Sequence, residues 1–194
     1  MTTPARILTV CTGNVCRSPY LERALQTELD RSWGQGEVEV TSGGTGALAG
    51  NPVDEGSRVI MDRLGYPSEG FVARTLLPQH VASADLVLTA TRAHRGKVAT
   101  LHPRALRYVF AFREFADLLA GIDPAELHAP SASASEHVQR VVALAAGQRG
   151  MRPPLSDAEA DIIDPYRRGP EVFEQMAQEI SSALPTVVAA LGRP

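Results

Sequence analysis

The apolar run at residues 6–10 (RILTV) breaks at Cys11 into turn-like Thr12, Gly13 and Asn14, and Ser18 and Pro19 then open a helix. A short unbroken apolar run is the mark of a strand buried on both faces. Ser18 suits an N-cap and Pro19 the first helical position, where a missing N–H is no loss. Leu21, Leu25 and Leu29 give that helix one apolar face. Few folds accept a strand that passes to a helix through so short a loop, and the pattern recurs. Residues 37–42 (EVEVTS) alternate as a strand and end in a loop at Gly43 and Gly44. A helix is expected over 53–64, stopped by Gly65, then a strand over 85–90, a helix over 92–101 and a strand over 106–110. Strands that alternate with helices imply right-handed crossovers and a parallel sheet covered on both faces. The expected fold is α/β: three layers, α/β/α, around a central four-stranded parallel sheet, with a short loop after the first strand.

Beyond the fourth strand the periodicity weakens. From Phe173 onward, Met176, Ile180, Leu184, Val187 and Leu191 mark a long C-terminal helix. Between them, residues 129–135 (APSASAS), a helical candidate at 136–146 and the loop at 150–157 read as a surface insertion spanning about 120–160. That stretch lacks the apolar content for a core of its own, so residues 1–194 are expected to form one domain.

Composition excludes several classes. A chain of 194 residues with 44% apolar and 21% charged residues can bury an ample core. A net charge of −3 is not that of a general nucleic-acid binder. No apolar run approaches the ~20 residues of a membrane span. The segment MTTPARILTV carries no small-residue cleavage site, so the expected compartment is the cytoplasm. The two cysteines, Cys11 and Cys16, do not make a disulfide framework there, and the five histidines lack metal-ligand spacing. Neither a metal nor another cofactor is expected.

In open parallel sheets ligands sit at the carboxyl ends of strands, beside a helix N-terminus. Here that place is CTGNVCRSP, residues 11–19. The residues between Cys11 and Arg17 span the length over which backbone N–H groups curl into an anion-binding nest. A phosphate dianion would gain from the nest, the helix N-terminus and a forked contact with Arg17. The same positive field favours the thiolate of Cys11, which would lie beneath the phosphorus as a nucleophile.

This segment resembles the signature of the low-molecular-weight protein tyrosine phosphatase family, in its bacterial form. Asp164-Pro165-Tyr166 resembles that family's acid loop, and TSGGTG (41–46), NPVD (51–54), VAR (72–74) and ADLVLT (84–89) follow in the family's order. The resemblance covers residues 5–117 and 161–191. It implies that Cys11 becomes phosphocysteine, and that Arg17 and the amides of Thr12, Gly13, Asn14, Val15 and Cys16 hold the phosphoryl oxygens. It implies that Asp164 protonates the leaving phenolate and then activates water. Ser18 would hydrogen-bond the thiolate, Asn14 would hold the loop with Ser42, and Tyr166 would wall the pocket. Asp161 is the alternative acid. Cys16 is either a small core residue or a partner that caps oxidised Cys11.

Three positions depart from the family pattern: Phe71, where many members have a bracing histidine, Ala47 in place of a wall aromatic, and Thr91 in place of an acidic residue. The implied activity is a metal-independent hydrolysis of phosphotyrosine in phosphorylated proteins, a bacterial tyrosine kinase being one candidate substrate. Rival readings are a protein arginine phosphatase, whose members carry threonine where Val15 stands, an arsenate reductase and an inactive phosphate-binding module. Arsenate reduction needs a relay of further cysteines, and none lies beyond Cys16.

Overall fold

In the computed structural model, which describes residues 3–194, the expected alternation of strands and helices forms the expected sheet. Strand β1 (Ala5–Cys11) leads into α1 (Arg17–Trp33), then β2 (Val38–Gly44) and α2 (Glu55–Leu64). After the short α3 (Pro78–Ala82) come β3 (Leu86–Thr89), α4 (Arg92–Leu101) and β4 (Val109–Ala111). The order across the sheet is β2-β1-β3-β4, and every pairing is parallel. Helices α5 (Phe112–Leu119), α6 (Pro124–Leu127), α7 (Ala134–Gly147), α8 (Asp157–Ala160) and α9 (Pro170–Leu191) complete the chain.

The period-two alternation of each strand divides the core. Ile7, Leu86, Leu88 and Phe110 face one layer, packed with side chains of α1, α5, α7 and α9. Leu8, Val10, Val87 and Val109 face the other, against Val81 and Val98. With both faces covered, β1 reads as continuous apolar sequence and its carboxyl end opens toward the loop at Cys11. No described helix is long and apolar enough to cross a membrane.

Four local expectations need correction. The run 106–110 is not one strand: a 3-10 turn over Pro103–Arg107 comes first, and only Val109–Ala111 pairs with β3. Pro103 opens that turn, and Tyr108 N–H closes it on the Ala105 carbonyl at 2.9 Å. Strand β2 continues through Gly43 and Gly44, because Gly44 still pairs with Cys11. A Cβ on Gly44 would lie 2.5 Å from the Thr12 carbonyl oxygen, so only glycine lets the two backbones approach there. The segment over 120–160 is not confined to the surface. Helix α7 buries Val138, Val141 and Ala145 in the main core, packed against α5, α9 and β1. Its small and β-branched apolar residues sit on one face, which a composition count over the whole segment conceals. The fourth correction concerns the start of α1 and belongs to the site.

Candidate active site

The loop after β1 turns its carbonyls outward. Those of Cys11, Thr12, Gly13 and Val15 accept the N–H groups of Thr45, Gly46, Leu48 and Asp54 at 2.8–3.0 Å. The amides of Thr12, Gly13, Val15, Cys16 and Arg17 meet no acceptor among the described residues. Carbonyls out and N–H groups in is the polarity of an anion nest. Asn14 makes the reversal with a left-handed φ of 55°, a conformation that asparagine tolerates better than most residues.

Helix α1 begins at Arg17, with Cys16 in the N-cap position and no capping side chain. Ser18 is therefore not the cap. Its hydroxyl lies 2.9 Å from Cys11 Sγ and accepts Asn14 Nδ2 at 2.9 Å. The sense of this chain is fixed from outside the loop. Arg74 N–H donates to Asn14 Oδ1 at 2.8 Å, so Nδ2 must point at Ser18 and, at 2.8 Å, at Ser42. Ser42 in turn donates to Glu22 Oε2 at 2.5 Å. With Ser18 Oγ already accepting from Asn14, its own proton is available to Cys11 Sγ. Phe71, buried, takes no part, and the loop is braced by Arg74 instead, whose Nε also donates to the Ser42 carbonyl at 2.7 Å.

Arg17 is 4% exposed. Its Nη2 meets Asp164 Oδ2 at 2.7 Å, and its Nη1 donates to the Ile162 carbonyl at 3.3 Å. Its Nε–H is buried without an acceptor among the described residues. A buried guanidinium only partly paired is a site for a second oxyanion. Asp164, by contrast, has its side chain 53% exposed, and Oδ1 closes an Asx turn with Tyr166 N–H at 3.2 Å.

These groups line a pocket of about 120 Å³. Cys11, Thr12, Gly13, Val15, Cys16 and Arg17 contribute from the loop, Gly46 and Leu48 from the segment after β2, and Asp164 and Tyr166 from the segment before α9. Of the sequence-predicted residues, Asn14 and Ser18 stand behind the pocket, turned toward Cys11 and the bracing network. Asp161 is absent from the lining, since its Oδ1 accepts Arg92 N–H at 2.8 Å beside the start of α4. The Arg167 guanidinium lies over the ring of Tyr166, 5.2 Å from its centroid. Cys16 is buried at the edge of the pocket, and burial together with Asp54, Cys11 and Asp164 pushes its thiol well up.

Two residues escaped the sequence reading. Leu48, 37% exposed, lines the pocket where attention fell on its neighbour Ala47. His94, buried, bridges Thr91 Oγ1 at 2.7 Å and Thr12 Oγ1 at 2.8 Å. Thr91 itself is the N-cap of α4 and not a lining residue. Burial, Arg17 and Lys97 hold His94 down to about 4, against a weaker pull from Asp164. Between pH 6.5 and 4 the unfolded chain therefore binds a proton that the folded protein refuses, and stability falls as pH falls through that window. From pH 7 to 5 the loss is about 2 kcal/mol. Urea unfolding at the two pH values should show a loss that is smaller by about this amount in His94→Gln than in the wild type, the rest coming from other groups such as the buried His137, which burial also holds low.

Comparison with known proteins sharpens the picture. The family model for low molecular weight phosphotyrosine protein phosphatases matches residues 6–146. The low molecular weight protein-tyrosine-phosphatase Etp of Escherichia coli K12 is 31% identical over 132 residues, covering 68% of this chain and 83% of that protein. The crystal structure of the tyrosine phosphatase AmsI of Erwinia amylovora superposes with a TM-score of 0.69 at 23% identity, covering 100% of this chain and 95% of the other. The arginine phosphatase YwlE of Geobacillus stearothermophilus shares the fold as well, with a TM-score of 0.67 at 23% identity over 95% of this chain and 91% of its own.

Proposed function

The chain belongs to the low molecular weight phosphotyrosine protein phosphatase family, and we propose that it cleaves phosphotyrosine with Cys11 as nucleophile, Arg17 as phosphate clamp and Asp164 as general acid. One observation carries these roles: Asp164, distant in sequence, lines one small pocket with Cys11, Arg17 and the unpaired loop amides. Phosphate binding there sets a dianion in the nest, where it competes with Asp164 for the Arg17 guanidinium. Cys11 Sγ attacks phosphorus in line, the P–O bond to tyrosine breaks, and Asp164 delivers its proton to the departing phenolate. In the second step the Asp164 carboxylate takes a proton from water, whose oxygen attacks phosphorus as the P–S bond breaks. Ser18 O–H steadies the returning thiolate. The positive charge that stabilises both transition states comes from Arg17 and backbone dipoles, so the chemistry asks for no metal.

Leu48 and Tyr166 supply apolar surface for a phenyl ring, and the buried Val15 adds no hydroxyl to the loop. Both features favour an aryl ester over a guanidino phosphate. The substrates are phosphorylated proteins. The DPYR sequence at 164–167, which resembles that of bacterial members acting on tyrosine kinases, supports such a kinase among them. A side-by-side assay on phosphotyrosine and phosphoarginine peptides, with and without EDTA, tests the reading. Phosphotyrosine should be cleaved faster and chelation should change nothing. Preference for phosphoarginine would overturn the substrate class, and loss of activity in EDTA the metal independence.

A further inference from the structure

The start of α4 reaches both halves of the pocket. Thr91 caps the helix by accepting His94 N–H at 3.2 Å, and the His94 ring returns to the same hydroxyl through Nδ1. The far nitrogen, Nε2, meets Thr12 Oγ1 at 2.8 Å. Thr12 is the first residue after Cys11. Its carbonyl is taken by Gly46 N–H at 3.0 Å, and its own N–H is one of the unpaired amides of the nest. The loop is thus fixed at this residue by backbone on one side and by His94 on the other.

The segment that carries Asp164 is tied to the same place. Ile162 N–H donates to the Ala90 carbonyl at 2.9 Å, and Asp161 Oδ1 accepts Arg92 N–H. The Arg92 guanidinium also reaches the Leu155 carbonyl. Residues 90–94 are the common support of Thr12 and of the Asp164 segment. A histidine buried for packing alone would need its ring nitrogens satisfied by any nearby acceptor. Here one goes to a residue of the phosphate loop, 82 positions away in sequence. Two hydroxyls, each able to donate or accept, keep the bridge intact in either tautomer of the neutral ring.

Resting on the phosphatase reading above, we propose that His94 is a positioning residue: through Thr12 it holds the phosphate loop at a set distance from the Asp164 segment anchored on the same helix end. The imidazole touches neither phosphate nor nucleophile, so its effect is felt through the direction of the Thr12 amide and the seating of the anion.

Amide side chains separate the two ends of the ring. Asparagine places its amide where Nδ1 lies and can keep Thr91 but not reach Thr12; glutamine places its amide where Nε2 lies. Inorganic phosphate binding by calorimetry, thermal unfolding and turnover of an aryl phosphate would be measured on the full chain. His94→Asn should weaken phosphate binding about tenfold, the scale of one lost buried hydrogen bond, while His94→Gln stays within about threefold of wild type. Thr12→Val removes the other end of the bridge and should reproduce the loss. The double variant Thr12→Val/His94→Asn should be no worse than either single one, since both break the same contact. Equal weakening in Asn and Gln variants, or weakening that simply follows the fall in Tm, overturns the proposal. So does a Thr12→Val protein with wild-type phosphate affinity, a result that decides the matter even if the His94 variants fail to fold. If wild type itself binds no phosphate, the phosphatase reading fails and takes this one with it. If wild type binds phosphate and the variants bind it equally, the positioning role alone is wrong.

Discussion

Cys11→Ser should abolish turnover of phosphotyrosine, lowering kcat by about 10⁴–10⁶-fold, the scale on which loss of an enzyme's nucleophile acts. The exchange is close to isosteric, and the bracing network is unchanged: Asn14 still spans Ser18 and Ser42, and Arg74 still holds Asn14. What changes is the atom beneath the phosphorus. A thiolate attacks as it stands, whereas a serine hydroxyl must first lose a proton, and Asp164, the carboxyl group of the pocket, is needed as the acid in that same step. Phosphate affinity should survive, because the amides and Arg17 that hold the anion are untouched. The pair of measurements therefore separates chemistry from binding. Retained turnover in Cys11→Ser would remove phosphocysteine from the mechanism, and loss of phosphate binding along with turnover would mean that the loop had collapsed.

The route from sequence to this site is uneven, for physical reasons that differ by residue. The loop at 11–19 was legible because one short stretch carries the strand end, the turn, the nest and the arginine. Helix α4 is legible to its bounds because Thr91 is a good N-cap and Pro103 stops the helix just beyond Leu101. Ser18 misled because serine before proline is a strong N-cap signal. The hydroxyl is instead drawn to Cys11 and Asn14, a tertiary contact that no local rule contains. Helix α5 carries Phe112, Phe115, Ala116 and Leu119 at helical spacing, a signal that was present and passed over. Helix α7 hid because its buried face is built of alanine and valine, which look unremarkable in a segment judged by average composition. His94 could not have been found at all. A lone histidine three residues into a helix reads as an ordinary satisfied group, and its partner Thr12 becomes a neighbour only when β1 and β3 pair.

Asp164→Asn should slow phosphotyrosine cleavage by about 10²–10⁴-fold, the usual contribution of general acid catalysis. The loss should depend on the leaving group. A tyrosine phenolate has a pKa of ~10 and needs the proton, whereas a nitro-substituted phenolate departs with less help. The deficit should therefore shrink on the activated ester wherever formation of phosphocysteine limits the rate. The structure adds a second handle. Asp164 and Arg17 form an ion pair at 2.7 Å, so a bound phosphate must compete with the carboxylate for the guanidinium. Neutralising Asp164 removes that competitor and one negative charge beside the dianion. Phosphate should bind at least as tightly to Asp164→Asn as to wild type even as kcat collapses, a split that damage to the pocket would not produce. Asp161→Asn is the matched control. Its Oδ1 accepts Arg92 N–H at the start of α4, a bond that the asparagine oxygen keeps, and it lines no part of the pocket, so both substrates should turn over at close to wild-type rates. If Asp161→Asn is the crippled variant and Asp164→Asn is not, the Asp-Pro-Tyr segment is a turn and the acid lies three residues earlier in the chain than the ion pair suggests.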